Sequence, residues 1–219
     1  MLKGGNIKIQ SEIYNFFLSN QQSQVFFARI HETLTQEADD TKHGKITGNI
    51  ETITTILELL QLFAEGHNID LQLYMKSQTK NYRSYDIISD VVKLLQVYMD
   101  TKKKKFFETM LQCFDTLTEY IQGPCYENQQ TLIQGPFLET AGTLLSEEDF
   151  VENKIKLTYI NCSLEKEFED ELHPDDLENL DFKHFPTLEP YMFSKLKFKC
   201  SITLYSMIES RQSDDIVLR

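Results

Sequence analysis

The sequence predicts an all-α protein, an armadillo-like α-solenoid of stacked helix pairs. Three observations point there. Apolar residues recur at three- and four-residue spacing along most of the chain, the period of an amphipathic helix. Glycine (8) and proline (5) are scarce among 219 residues, too few turn formers for a β-sandwich or barrel. A similar helix end, with similar residues beyond it, occurs twice, as in proteins built of stacked helical units. A single helical bundle is the competing architecture. The hydrophobic share of 41 % is enough for a core and excludes wholesale disorder.

Taken in order, Ile13, Phe16 and Phe17, then Phe26, Phe27, Ile30 and Leu34, predict two short helices. Residues 39–49, with charged side chains, a histidine and two glycines, read as a loop. Ile53, Ile56, Leu57, Leu60 and Phe63 predict a helix that stops at Gly66. Residues 71–78 form a short helix and 81–84 a polar turn, followed by a helix carrying Ile87, Val91, Leu94, Leu95 and Tyr98. Phe107, Met110, Leu111, Phe114, Leu117 and Ile121 make the clearest stripe, closed by Gly123-Pro124. Phe137, Leu138, Ala141, Leu144 and Leu145 give the next helix. Residues 165–181 are rich in Asp and Glu, and Pro174, Pro186 and Pro190 punctuate this acidic insertion, which reads as solvated. A last helix over about 194–209 carries Phe198, Ile202, Tyr205 and Ile208 on one face. The apolar stripes are expected to be core, with Met75, Met99 and Met110 filling gaps in it.

Charge and motifs exclude several functions. With 22 Lys+Arg against 34 Asp+Glu the net charge is −12, which repels phosphates and excludes nucleic acid as a main partner. The only basic run, 102–105, reads as a solvated helix start. The first ten residues lack the apolar core of a signal peptide, and no apolar run approaches the ~18 residues of a membrane span. Cys113, Cys125, Cys162 and Cys200 show no zinc spacing and read as reduced thiols packed in the fold. His31, His43, His67, His173 and His184 form no metal-ligand pattern and read as surface or turn residues. There is no nucleophile elbow, dinucleotide fingerprint, phosphate loop or EF-hand loop, so the chain is not expected to be an enzyme.

Two carboxylates stand out. Glu65 and Glu119 each sit at the C-terminal end of a helix, where the helix dipole makes an acidic side chain unfavourable by roughly 0.3–1 kcal/mol. A cation near both would reverse that sign. His67 follows Glu65 closely and Gln122 follows Glu119, giving each carboxylate a polar neighbour able to orient it. Exposed helix-end acids with no ligand are the alternative reading of the same spacing.

The two helix ends also resemble a known family. Leu59-Leu60-Gln61-Leu62-Phe63-Ala64-Glu65-Gly66-His67-Asn68, followed by Leu71-Gln72-Leu73-Tyr74-Met75 and Gln78, is similar to a signature of the inositol-trisphosphate and ryanodine receptors. So is Leu117-Thr118-Glu119-Tyr120-Ile121-Gln122-Gly123-Pro124-Cys125, with Glu127-Asn128-Gln129 beyond it. Ile208-Glu209-Ser210-Arg211 resembles the inositol-trisphosphate receptor branch, and Gly4-Gly5-Asn6, Gln10 and Phe26-Phe27 also fit. The chain is identified as a member of the RIH-associated domains of these intracellular calcium-release channels. Ala64 and Gly66 depart from the usual Cys and Asn, without removing a proposed ligand.

The resemblance implies one helical domain over 1–219: opening helices in 1–38, a loop at 39–49, main repeats over 50–145, the insertion at 146–193, and a terminal helix and tail over 194–219. It implies a cytosolic regulatory module of a ligand-gated channel, on the cytosolic face of the endoplasmic reticulum membrane. Regulatory calcium is its implied ion, with Glu65 and Glu119 as half of an activating site and His67 and Gln122 around them. The remaining ligand is then a carbonyl from another part of the channel. Its partners would be other domains of the same channel and homotetramer neighbours. The alternative is a free-standing cytoplasmic scaffold that binds basic protein segments and conducts nothing.

Overall fold

The computed structural model describes residues 4–45, 50–146, 188 and 190–209. Cys162, His173, His184, Arg211 and the body of the acidic insertion lie outside the described residues. Among the described residues there are nine α-helices and no strand, so the protein is all-α. They are α1 Ile7–Ser19, α2 Gln22–Lys42, α3 Ile50–Ala64, α4 Ile69–Lys76, α5 Ile87–Thr101, α6 Phe107–Ile121, α7 Tyr126–Gln134, α8 Phe137–Ser146 and α9 Pro190–Ile208.

Local chemistry sets several boundaries. Asn6, Asn68 and Asp86 are N-caps whose side-chain oxygens accept from the N–H groups of Ile9 (3.3 Å), Leu71 (3.1 Å) and Ser89 (3.0 Å). Lys102 closes α5 in a left-handed conformation (φ 51°), and a short 3-10 turn at Lys104–Phe106 leads into α6.

Packing repeats every three helices. α1 lies on α4, α2 on α5, α3 on α6, α4 on α7, α5 on α8 and α6 on α9. The units are therefore triplets, α1–α3, α4–α6 and α7–α9, where the sequence reading expects pairs. The repeated helix ends mark one boundary per unit, and the polar α7 gives no stripe that would show a third helix in each. The seams between third helices are partly polar. Thr54 and Thr109 hydroxyls meet at 2.8 Å between α3 and α6, and Thr118 and Thr203 meet at 2.8 Å between α6 and α9. Lys199 reaches Asp115 at 2.6 Å across the second seam.

The core runs through all three units. α5 is apolar on nearly every side because it packs against α2, α4, α6, α7 and α8, and Ile87, Val91, Leu94, Leu95 and Tyr98 are fully buried. Tyr98 donates its hydroxyl to the buried carboxylate of Glu37 at 3.0 Å. Phe17, Phe26, Phe27, Phe63 and Tyr74 form an aromatic cluster between the first two units, with Phe17 stacked on Tyr74 at 5.8 Å. Met75, Met99 and Met110 are buried, as are the reduced Cys113, Cys125 and Cys200. His31 is not the free surface residue expected, because it bonds the buried Asp90 at 2.7 Å and lies on Tyr85.

Three readings are corrected. α2 is a long helix of 21 residues rather than a short one, and it runs to Lys42, into the segment read as loop. α7 is an additional helix whose polar sequence, Tyr126–Gln134, hid it from periodicity. α9 begins at Pro190, and the face with Phe198, Tyr205 and Ile208 points outward, while Met192, Leu196, Cys200 and Met207 are buried. Both faces of α9 are apolar, so spacing alone did not choose between them.

The burial of α9 predicts a sharp contrast between neighbouring residues. Leu196→Ala is expected to lower unfolding free energy by about 2–5 kcal/mol, and Phe198→Ala by less than about 0.5 kcal/mol, in urea denaturation followed by circular dichroism.

Candidate functional site

Glu65 and Glu119 both stand at the C-terminal ends of third helices, Glu65 just after the last residue of α3 and Glu119 in the last turn of α6. After Ala64 the chain turns through Glu65, Gly66 (φ 78°) and His67 (φ 63°) before Asn68 caps α4. The His67 N–H returns to the carbonyl of Ala64 at 3.1 Å, closing the turn. After Ile121 a second turn runs through Gln122, Gly123 (φ 101°) and Pro124. Left-handed backbone at these positions is open to glycine without penalty, and at His67 it is held by its surroundings.

The two turns touch, and a third joins them. A Cβ placed on Gly123 would lie 2.6 Å from the His67 Cβ, and one on Gly5 would lie 2.8 Å from the Glu65 carbonyl oxygen. Only hydrogen atoms fit at Gly5 and Gly123, so the turn at 4–5 meets that at 65–67 at backbone contact distance and the turn at 122–124 lies against the His67 side chain. Helix-end carbonyls in this stack are bonded by two buried glutamines, Gln10 from α1 and Gln72 from α4.

The stacking brings the two glutamates within electrostatic reach. One oxygen of each, Glu65 Oε2 and Glu119 Oε2, is buried and has no hydrogen-bond partner. The backbone N–H of Gly66 lies near enough to the Glu119 carboxylate to favour its charged form. Burial pushes the Glu119 carboxyl above the ordinary carboxylate range; His67 pulls it down, Glu65 and Asp115 push it further up, and the Gly66 N–H pulls it down. An acid whose folded pKa exceeds its unfolded value destabilises the fold once ionised. Stability contributed here therefore falls as pH rises from the unfolded carboxylate pKa through the raised folded one.

Not every residue named from the sequence is gathered in the same way. His67 lies in the contact between the turns, exposed on its outer side. Gln122 directs its side chain elsewhere, donating to the Ser206 hydroxyl on α9 at 3.4 Å. Gly123 N–H donates to Glu209 at 3.4 Å, so the end of α9 caps the second turn from above. Sequence reasoning missed Gln10, Gln72 and Glu209 as parts of the site. All three stand among the residues that carry the family resemblance, without a role; for the two glutamines spacing is a further signal, because Gly4-Gly5-Asn6-Ile7-Lys8-Ile9-Gln10 and Gly66-His67-Asn68-Ile69-Asp70-Leu71-Gln72 share Gly, Asn, Ile and Gln at the same steps.

A hard cation would suit the donor set: each glutamate keeps one buried, unpartnered carboxylate oxygen, and a positive charge would relieve the burial and the Glu65 repulsion that push the Glu119 carboxyl up. The donor set is incomplete. Among the described residues no group of three or more His, Cys, Asp or Glu is arranged to hold a metal ion.

Residues 47–145 match the family described as “RyR and IP3R Homology associated”. This segment is an RIH-associated domain. Glu65 and Glu119 both fall inside the RIH-associated domain, whereas α1, α2 and α9 lie outside it. One relative, the inositol 1,4,5-trisphosphate receptor itr-1 of Caenorhabditis elegans, is 30% identical over 92 residues, covering 37% of this chain. The match spans 3% of that receptor's length. No described helix of the RIH-associated domain or its flanking helices is long and apolar enough to cross a membrane.

The stacked turns leave no room at Gly123. Gly123→Ala is expected to lower unfolding free energy by about 1–3 kcal/mol, through the left-handed backbone and the His67 contact together. Gly142→Ala, in α8 with open space around it, is expected to raise it by about 0.4–1 kcal/mol, both measured by urea denaturation.

Proposed function

We propose that this chain is a cytosolic regulatory module of an intracellular ligand-gated calcium-release channel of the endoplasmic reticulum, and that Glu65 and Glu119 form half of an activating calcium site. The observation that carries the reading is the pair of buried, unpartnered carboxylate oxygens beside two turns that meet through the His67 side chain and Gly123. The match of the surrounding segment to the RIH-associated family supports the channel context.

Calcium, when bound, supplies a divalent positive charge that accepts six to eight oxygens. The chain's own residues prepare for it in three ways. Glu65 and Glu119 offer at most four oxygens, and one of each, Oε2, is already buried without a hydrogen-bond partner. The Gly66 N–H favours the charged form of the Glu119 carboxylate. His67, wedged on Gly123, holds the two turns at one spacing.

The remaining oxygens fall to another segment of the same assembly. Affinity then depends on how that segment sits relative to the RIH-associated domain, and by reciprocity the ion biases that relative position. Such a bias is the coupling a regulatory module needs to act on a distant pore. Other domains of the channel and its neighbouring subunits are the partners this requires. No catalytic step enters the account.

A second reading, a scaffold that binds protein segments and conducts nothing, is favoured by the outward apolar face of α9, where Phe198 and Tyr205 are 65% and 73% exposed.

The test of the calcium reading is made in a full-length channel carrying this domain. Glu65→Gln and Glu119→Gln are each expected to move calcium activation to concentrations about tenfold higher or more in single-channel recording, because each removes a charged ligand. An unchanged calcium response in both variants removes the site assignment and leaves the scaffold reading.

A further inference from the structure

Each three-helix unit opens with a short helix whose residue four beyond the N-cap is a glutamine: Gln10 after Asn6, Gln72 after Asn68 and Gln129 after Cys125. All three are buried, at 1%, 1% and 0% exposure. A long polar side chain is taken out of water there only if its amide is bonded. The partners are alike in all three. Gln10 Nε2 donates to the carbonyls of Leu62 (3.4 Å), Phe63 (3.2 Å) and Glu65 (2.7 Å). Gln72 Nε2 donates to those of Glu119 (2.6 Å) and Gln122 (2.9 Å). Gln129 Nε2 donates to those of Ser206 (3.0 Å) and Ile121 (3.3 Å).

In each unit, then, the first helix bonds a carbonyl at the C-terminal end of the third, and in the last unit Gln129 also reaches back to Ile121 at the end of α6. A helix leaves its last four carbonyls without internal partners, and burial makes that vacancy expensive. The device repeats, but in the first two units its target is special. The shortest bond of Gln10 is to the carbonyl of Glu65, and that of Gln72 is to the carbonyl of Glu119. Each amide grips the main chain of the residue that bears a carboxylate. Asn68 Nδ2 also donates to Gln10 Oε1 at 3.3 Å, and Asn128 Nδ2 to the Gln72 carbonyl at 2.9 Å, so the two grips are tied into one network.

We propose that Gln10 and Gln72 are positioning residues that set the placement of the Glu65 and Glu119 carboxylates for a divalent cation, acting through the backbone of the two helix ends. The inference rests on the calcium reading above. With the main chain fixed at each glutamate, the carboxylate keeps only its own side-chain torsions. Without the grip, the turn gains freedom and the ion must order it on binding. Outer partners of metal ligands act in this way.

The test uses the full chain with terbium as the probe ion, and Met as the replacement because it keeps length and volume while removing the amide. Gln78→Met is the control. Gln78 is equally buried (1%) and equally bonded, to Tyr74, Met75 and Tyr85 carbonyls, but it organises the loop before α5 rather than the two turns. Gln10→Met and Gln72→Met are expected to weaken terbium binding about tenfold or more by calorimetry, while Gln78→Met leaves it within about twofold despite lowering stability. Hydrogen exchange, measured without any metal, is expected to speed up at His67 in Gln10→Met and at Gln122 and Cys125 in Gln72→Met, with no change at either turn in Gln78→Met. Equal terbium affinity in all three variants and wild type overturns the positioning role. If wild type and Glu65→Gln bind terbium alike, the calcium reading fails. The exchange pattern then decides the glutamines separately, and uniform exchange at the two turns overturns them as well.

Discussion

Carbonyl groups at the C-terminal ends of α3 and α6 have no partner within their own helices, and these ends are buried against other helices. That constraint organises the protein. Satisfying the carbonyls requires a donor from outside each helix, and the first helix of the same unit supplies it through Gln10 and Gln72. Reaching those carbonyls brings three turns together, and they pack closely because Gly5, Gly66 and Gly123 present no side chain. The stacking of α3, α6 and α9 follows from the same arrangement, with Ser206 of α9 and Glu209 just beyond it bonding the α6 turn.

The electrostatics run against the fold rather than with it. Two partly buried acids lie at the negative ends of helices, and Glu119 shows the cost in a carboxyl pushed up by burial and by Glu65. Packing elsewhere offsets the strain. α5 alone buries Ile87, Val91, Leu94, Leu95 and Tyr98 completely.

Much of this was legible in the sequence, for physical reasons. The long stripes of α3, α5 and α6 are strong 3.6-residue signals, and Gly66 and Gly123 mark their ends because the chain must turn left-handed there. The two glutamates were visible as acids in the wrong place on a helix. What periodicity missed is equally instructive. α7 is short and polar, and α9 is apolar on both faces, so neither gives a single stripe; α2 continues into residues whose charge suggested a loop. Gln10 and Gln72 were quoted as matching residues without a role, because a buried glutamine and an exposed one look the same in a sequence. Only the spacing from Asn6 to Gln10, repeated from Asn68 to Gln72, hinted that they do one job.

The central claim is that the two helix-end turns hold Glu65 and Glu119 within electrostatic reach of each other. The most direct measurement is a carbon-13 NMR titration of the Glu119 side-chain carboxyl in the calcium-free protein, compared between wild type and Glu65→Gln. The account predicts a Glu119 pKa above the ordinary range in wild type that falls when the Glu65 charge is removed. A Glu119 pKa that is the same in both proteins would contradict it, because the carboxylates would then lie too far apart to share an ion.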